Sequence, residues 1–290
     1  MVYQMSILAV YQTLNKLLVK TSGKGEPLIV LHGWGMNSSA WEPVASQLES
    51  RNQVSWVDLP GYGMNADIEA SSMDEIVNLI LDNVADITSS EFHIMGWSLG
   101  GLVVQAIAQR VPDIMKSMTL VASTPRFSQS DDTKNPWPHA MSLKVLHDFA
   151  ENLKQDVTGT LKRFIALQFM GLKNTREIQR KLIREVVGES KSAQKVGGVL
   201  SNIQVQSNNQ ALDLGLQLLA ESDFRGEQSP VPQNWLFAGN DRLIPVAVIN
   251  DLISLRPDAQ ITLLENAGHA PFMTHPEEFV QHICRFIDGN

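Results

Sequence analysis

The stretch HIMGWSLGGLVVQAIA, residues 93–108, decides the fold. It sets Ser98 between Trp97 and Leu99, with Gly96 and Gly100 two places to either side. The apolar run FHIM leads in, and LGGLVVQAIAQR, apolar at helical spacing, leads out until Pro112 stops it. A serine on a strand-to-helix turn too tight for a β-carbon at Gly96 or Gly100 forms an elbow that exposes its hydroxyl at the end of a sheet. The helix N-terminus behind it favours negative charge developing nearby.

The same alternation extends in both directions. PLIVLHGWG (27–35), QVSWVDLPGYG (53–63), SMTLVAST (117–124), QNWLFAGND (233–241) and AQITLLENAGH (259–269) read as strands running into loops, and VAVINDLISLR (246–256) as a helix. Strands separated by helices imply a mostly parallel sheet with right-handed crossovers, so the fold class is α/β. Between residues 124 and 230 the rhythm stops. MSLKVLHDFAENLKQD, VTGTLKRFIALQFMG, TREIQRKLIREVVGES and NQALDLGLQLLAESD carry apolar residues at helical spacing with no strand between them. The expected organisation is a core from 1–123 and 231–290, interrupted by a helical cap at 124–230.

Composition limits what such a chain does. With 290 residues, 43% of them hydrophobic, it buries a full core. One cysteine, Cys284, forms no intrachain disulfide and reads as a buried apolar residue, which points to a reducing, cytoplasmic setting. MVYQMSILAVYQTLNKLLVK has no basic residue ahead of its short apolar run and does not read as a signal peptide, and no run suffices for a membrane span. A net charge of −8 argues against non-specific nucleic-acid binding. The charge is unevenly spread: residues 144–195 hold 11 Lys or Arg against 6 Asp or Glu, the rest 12 against 25.

A serine hydroxyl needs a base, and the base a carboxylate to orient it. Asp241 follows a strand in LFAGNDRLIP, and His269 sits in a glycine-bounded loop, ENAGHAPFMTHP, after the last strand. The order Ser98, Asp241, His269 is the one this elbow demands. His275 precedes a proline and opens the final helix, and His139, His147 and His282 lie in helix or loop contexts. Asp213 and Asp223 read as solvated helix-face carboxylates. The N–H groups of Leu99 and of Trp34, in the loop LHGWG, are candidate oxyanion donors, with His32 bracing that loop. No His, Asp or Glu group stands at metal-ligand spacing, so no metal or other cofactor is expected.

LHGWGMN, VDLPGYG, GWSLGGLV, RFIALQFMG, GNDRLIP and AGHAPFMTHP together resemble the motifs of the α/β-hydrolase family that acts in biotin synthesis on the methyl ester of pimeloyl-acyl carrier protein. The likeness runs from about residue 27 to the C-terminus, and the tryptophans of HGWG and GWSLGG, with RFIALQ, make it specific. It implies a monomeric serine carboxylesterase with Ser98 as nucleophile, His269 as base and Asp241 as orienting acid. It further implies that Trp34, Phe164, Ile165, Ala166, Leu167 and Gln168 contact substrate and that Arg163, Arg176 and Arg180 receive the acyl carrier protein. Gly159 stands where that family has a further cap arginine, and the N-terminus is longer than its pattern.

The residues support a carrier independently. Arg176, Arg180 and Arg184 recur every fourth position along one helix face, with Lys173 nearby and Arg163 from the preceding helix. Guanidinium groups suit a phosphate such as that of a phosphopantetheine arm, and they steer an acidic partner. The plain alternative is a solvated face offset by Glu177 and Glu185. Two other functions stay open: another small-ester or carbon–carbon bond hydrolase of the same fold, and a non-catalytic protein using the pocket as a receptor.

Overall fold

The computed structural model describes residues 16–88, 91–187, 207–226 and 229–290. The N-terminal extension up to residue 15 therefore lies outside the described residues. Seven strands form one sheet: β1 (Val19–Gly23), β2 (Glu26–Leu31), β3 (Asn52–Val57), β4 (Phe92–Trp97), β5 (Met115–Val121), β6 (Gln233–Ala238) and β7 (Gln260–Leu264). Their order is β1-β3-β2-β4-β5-β6-β7, with β1 antiparallel to β3 and every other pair parallel. β4, at the centre, is buried at every position, as a strand covered on both faces must be.

β1 was not legible. VKTSG is largely exposed and shows no apolar alternation, because an edge strand needs only one neighbour, here paired Val19 to Val57. The helices follow the periodicity more closely: α1 (Glu42–Glu49), α2 (Met73–Ile87), α3 (Leu99–Arg110), α4 (Leu143–Gln155), α5 (Val157–Gln168), α6 (Arg176–Val187), α7 (Asn209–Glu221), α8 (Val248–Leu255), α9 (Pro271–Thr274) and α10 (Pro276–Ile287). Among the described residues helices α4 to α7 lie between β5 and β6, in the stretch expected to form the helical cap, of which residues 188–206 lie outside the described residues. The loop leading into them carries two isolated bridges, Ser128 to Met141 and Ser130 to Trp137.

The elbow is tight for a reason the glycine pattern only half describes. A β-carbon on Gly96 would stand 2.3 Å from the Gly100 carbonyl oxygen, and one on Gly100 would stand 2.6 Å from that of His32. Neither glycine has a positive φ; close backbone approach excludes a side chain, letting α3 press against β4 and the end of β2. The unusual conformation belongs to Ser98 itself, at φ 54° and ψ −116°. Such a backbone costs about 1–3 kcal/mol and persists only where neighbours fix it. The Ser98 N–H donates to the Val121 carbonyl (2.9 Å), and its own carbonyl accepts from Gly101 N–H (2.9 Å) and from the Ser123 hydroxyl (3.0 Å).

Strand ends converge on this point. Ser98 follows β4, the His32–Trp34 turn follows β2, Asp241 lies three residues beyond β6 and His269 five beyond β7. All four occupy the carboxyl edge of the parallel strands, where α/β sheets bind ligands. Gly96→Ala is expected to destabilise by about 1–3 kcal/mol or more through overpacking. A clear drop in melting temperature by calorimetry checks this. Gly226→Ala, where a β-carbon meets nothing within 4 Å, is the control and should change little.

Candidate active site

His269 and Asp241 form a buried pair. Nδ1 of His269 lies 2.7 Å from Oδ2 of Asp241, and the side chains are 0% and 1% exposed. The other carboxylate oxygen accepts the N–H groups of Leu243 (2.7 Å) and Ile244 (3.0 Å), so the turn after β6 fixes Asp241 before the histidine meets it. With Nδ1–H donated to the carboxylate, Nε2 is the basic nitrogen. It is buried and has no hydrogen-bond partner, so the Ser98 hydroxyl is not yet bonded to it; such contacts tighten in substrate complexes.

The backbone of His269 is tied on both sides. Its N–H donates to the Gln168 carbonyl at the end of α5 (3.2 Å), and its carbonyl accepts the indole N–H of Trp97 (2.8 Å). The Trp97 ring also meets the edge of Phe272, which stacks on Trp41 with centroids 4.0 Å apart. The tryptophan preceding the serine thus holds the histidine loop in place across 172 positions of sequence.

His32 braces its loop. One ring nitrogen, Nδ1, bonds the Gly33 carbonyl (2.8 Å), while Nε2 accepts the Leu59 N–H (3.0 Å), which fixes the neutral tautomer with hydrogen on Nδ1. The Gly33 carbonyl also accepts from Met36 N–H (3.2 Å). In a trans peptide the carbonyl and the next N–H point opposite ways, so pinning the Gly33 oxygen aims the Trp34 N–H. Gly33 is packed on the serine: a β-carbon there would stand 3.2 Å from Ser98 Cβ. Among the described residues neither the Trp34 nor the Leu99 N–H donates a hydrogen bond, although both residues are buried. Two free N–H groups flank the serine, as an oxyanion site requires.

The cap closes over this edge. Ser98 is only 3% exposed, where the elbow alone predicts an open hydroxyl. Trp34 donates its indole N–H to the Leu212 carbonyl (2.8 Å) and meets Phe164 edge-on with centroids 4.8 Å apart. Tyr62 donates its hydroxyl to the Ala211 carbonyl (2.8 Å); burial pushes its pKa up, which keeps the donor protonated. Of the sequence-selected α5 stretch, Phe164, Ile165 and Gln168 are buried, Leu167 is half-buried and Ala166 is exposed. The structure therefore brings Phe164 and Gln168, but not Ala166, to the edge of the site. Gly215, Tyr62 and Ser123 escaped the sequence reading; their roles are packing and long-range bonds that leave no local pattern.

Arg163, Arg176, Arg180 and Arg184 are exposed. Among the described residues the three α6 arginines make no ion pair, and Glu185, which was to offset them, instead accepts from the Ser39 hydroxyl (3.0 Å). Asp213 is exposed on α7 as expected. Asp223 corrects its expectation: it lies past the end of α7, not on a helix face, and is clamped by Arg225 (2.6 Å) and Arg126 (2.7 Å). Burial acts to raise its pKa, but these hydrogen bonds outweigh it and hold the carboxyl well below the usual range. Cys284 is buried, and burial raises its thiol pKa. Among the described residues no group of His, Cys, Asp or Glu could hold a metal ion, and no helix is long and apolar enough to cross a membrane.

Burial lowers the pKa of His32, with the Asp58 charge opposing in part. The unfolded chain therefore binds a proton at a higher pH than the folded one, and stability falls as pH drops below the ordinary histidine value of about 6.5. Denaturant unfolding followed from pH 7.5 downward should show a shallower loss in His32→Gln than in the unmodified chain.

The Abhydrolase_6 model, described as alpha/beta hydrolase family, matches residues 28–282. A pimeloyl-[acyl-carrier protein] methyl ester esterase of Photobacterium profundum is 37% identical over 270 residues, 92% of this chain and 97% of that one. One of Aeromonas hydrophila is 36% identical over 271 residues, 93% of this chain and 98% of that one. Among solved structures, a hydrolase from Oleispira antarctica superposes with a TM-score of 0.79 at 17% identity, covering 97% of each chain, a likeness of fold alone. The chain belongs to the α/β hydrolase family, in the branch of the pimeloyl-[acyl-carrier protein] methyl ester esterases.

Proposed function

We propose that this chain is a serine carboxylesterase that hydrolyses the methyl ester of pimeloyl-acyl carrier protein in biotin synthesis. The observation that carries the chemistry is the buried His269–Asp241 pair, 2.7 Å apart, at the same sheet edge as the Ser98 elbow. The substrate comes from the relatives, whose similarity spans nearly the whole of both chains. The single buried Cys284 suits a cytoplasmic reaction.

Ser98 Oγ attacks the ester carbonyl carbon as its proton passes to His269 Nε2. Asp241 holds Nδ1–H and stabilises the imidazolium, while the N–H groups of Trp34 and Leu99 receive the oxyanion. Collapse breaks the carbon–methoxy bond, the methoxide takes the proton from His269 and methanol leaves. Water then adds to the acyl-enzyme with His269 again taking the proton, and expulsion of Ser98 frees the carboxylate. No step calls for a metal or organic cofactor.

For the carrier, the support is the uncommitted arginine row. Arg180 and Arg184 border a groove of about 520 Å³ between α6 and the start of α1, lined also by Ser39 and by Met273 of α9, four residues past His269.

Ser98→Ala should lower esterase turnover at least about a thousandfold while the melting temperature holds, as measured with p-nitrophenyl butyrate. Retention of a tenth of the activity would exclude Ser98 as nucleophile. Replacing Arg163, Arg176 and Arg180 together by Glu should raise KM for the acyl-carrier substrate about tenfold, equivalent to about 1.4 kcal/mol, and spare the small ester. Equal losses on both would mean a distorted cap, and no loss on either would leave a solvated face and return the substrate to another small ester.

A further inference from the structure

Gln168 ends α5 with a side chain that no bond among the described residues explains. The residue is 1% exposed, and neither Oε1 nor Nε2 of its amide has a hydrogen-bond partner. Among the described residues His269 Nε2 is also buried without a partner, as is the indole nitrogen of Trp41 behind the histidine loop. Two observations put the residue on the same side of the site. Gln168 lies one helical turn after Phe164, so the two share a face of α5, and the Phe164 ring meets Trp34 of the oxyanion loop. Its own carbonyl accepts the His269 N–H at 3.2 Å. Gln168 therefore sits between Phe164, which meets the oxyanion loop, and the histidine loop.

A buried amide left unpaired destabilises the fold, and an apolar side chain of similar size would avoid that cost. The arrangement suits a guest that both donates and accepts hydrogen bonds and is small enough for a closed site. The reading of Ser98 and His269 as nucleophile and base supplies such a guest twice per cycle, as departing methanol and as attacking water.

Resting on that reading, we propose that Gln168 holds the water that hydrolyses the acyl-enzyme. Oε1 accepts one O–H of the water, the second O–H faces His269 Nε2, and the free lone pair faces the acyl carbon. As the new carbon–oxygen bond forms, the proton moves to Nε2. As the bond from carbon to Ser98 Oγ breaks, that proton passes to Oγ, leaving the carboxylic acid to ionise to solvent. Gln168 acts after acylation, so its loss slows the second half of the reaction.

The test uses the full chain, Gln168→Met and p-nitrophenyl butyrate. The variant is expected to keep or raise its melting temperature and to keep a first-turnover burst of p-nitrophenol. Its steady-state rate should fall about tenfold or more, with a butyryl adduct on Ser98 accumulating in the intact-mass spectrum. Loss of the burst together with the steady state would overturn the proposal, placing Gln168 before acylation. So would unchanged turnover, or a melting temperature lowered by several degrees, which would make the amide structural. If the unmodified chain released no p-nitrophenol, the esterase reading itself would fall; release by the unmodified chain without an adduct in the variant would remove only the role of Gln168.

Discussion

One residue ties the machinery together, and it does so mainly through its backbone. The N–H of His269 bonds the end of cap helix α5, its carbonyl takes the indole N–H from the residue before Ser98, and its ring meets a carboxylate already fixed by two amides after β6. Cap, elbow and acid therefore set a single loop. A catalytic imidazole has to be aimed as well as present, and misplacement by about 1 Å costs rate steeply. The aromatic cluster of Trp97, Phe272 and Trp41 behind the loop adds a wall that packs too densely to yield.

The same logic explains why the elbow accepts strain. Ser98 leaves the ordinary backbone regions because Gly96 and Gly100 let the helix come closer to the sheet than any β-carbon would permit. The hydrogen bonds from Ser123 and Gly101 to its carbonyl then hold it there. Across the site, His32 does for the oxyanion loop what Trp97 does for the histidine loop. A buried neutral ring with one nitrogen donating and the other accepting locks a peptide plane, and the locked plane aims an N–H. Polar groups in a dry pocket act strongly because they are fixed beforehand and need no reorganisation.

What could be read in advance follows from sequence distance. The elbow, the parallel strands and α4 to α7 are local events in which apolar spacing, a proline stop and glycines reveal the element, so α3 begins and ends where GWSLGGLVVQAIAQR suggests. Asp241 and His269 were legible because the fold demands a carboxylate and a histidine after late strands. The ties that position them were hidden. Trp97 to His269, Gln168 to His269 and Trp34 to Leu212 join residues that no spacing connects, and β1 lacks any apolar alternation. Asp223 was misread for the same reason: its two arginines converge only after the chain has left the core through Arg126 and returned through Arg225.

The helices over Ser98, which is 3% exposed, are attached in different ways. Helix α7 is held by hydrogen bonds from core side chains that are themselves buried, Trp34 and Tyr62, and Gly215 packs so closely that a β-carbon would stand 2.5 Å from the Trp34 ring. Helix α6 buries Leu182, Val186 and Val187 in the core, and around them makes only bonds between half-exposed groups, Lys181 to Glu42 and Ser39 to Glu185, that water readily replaces. The two helices are therefore held differently, α7 by buried polar bonds and close packing, α6 by apolar contact with a polar rim that carries the exposed arginines.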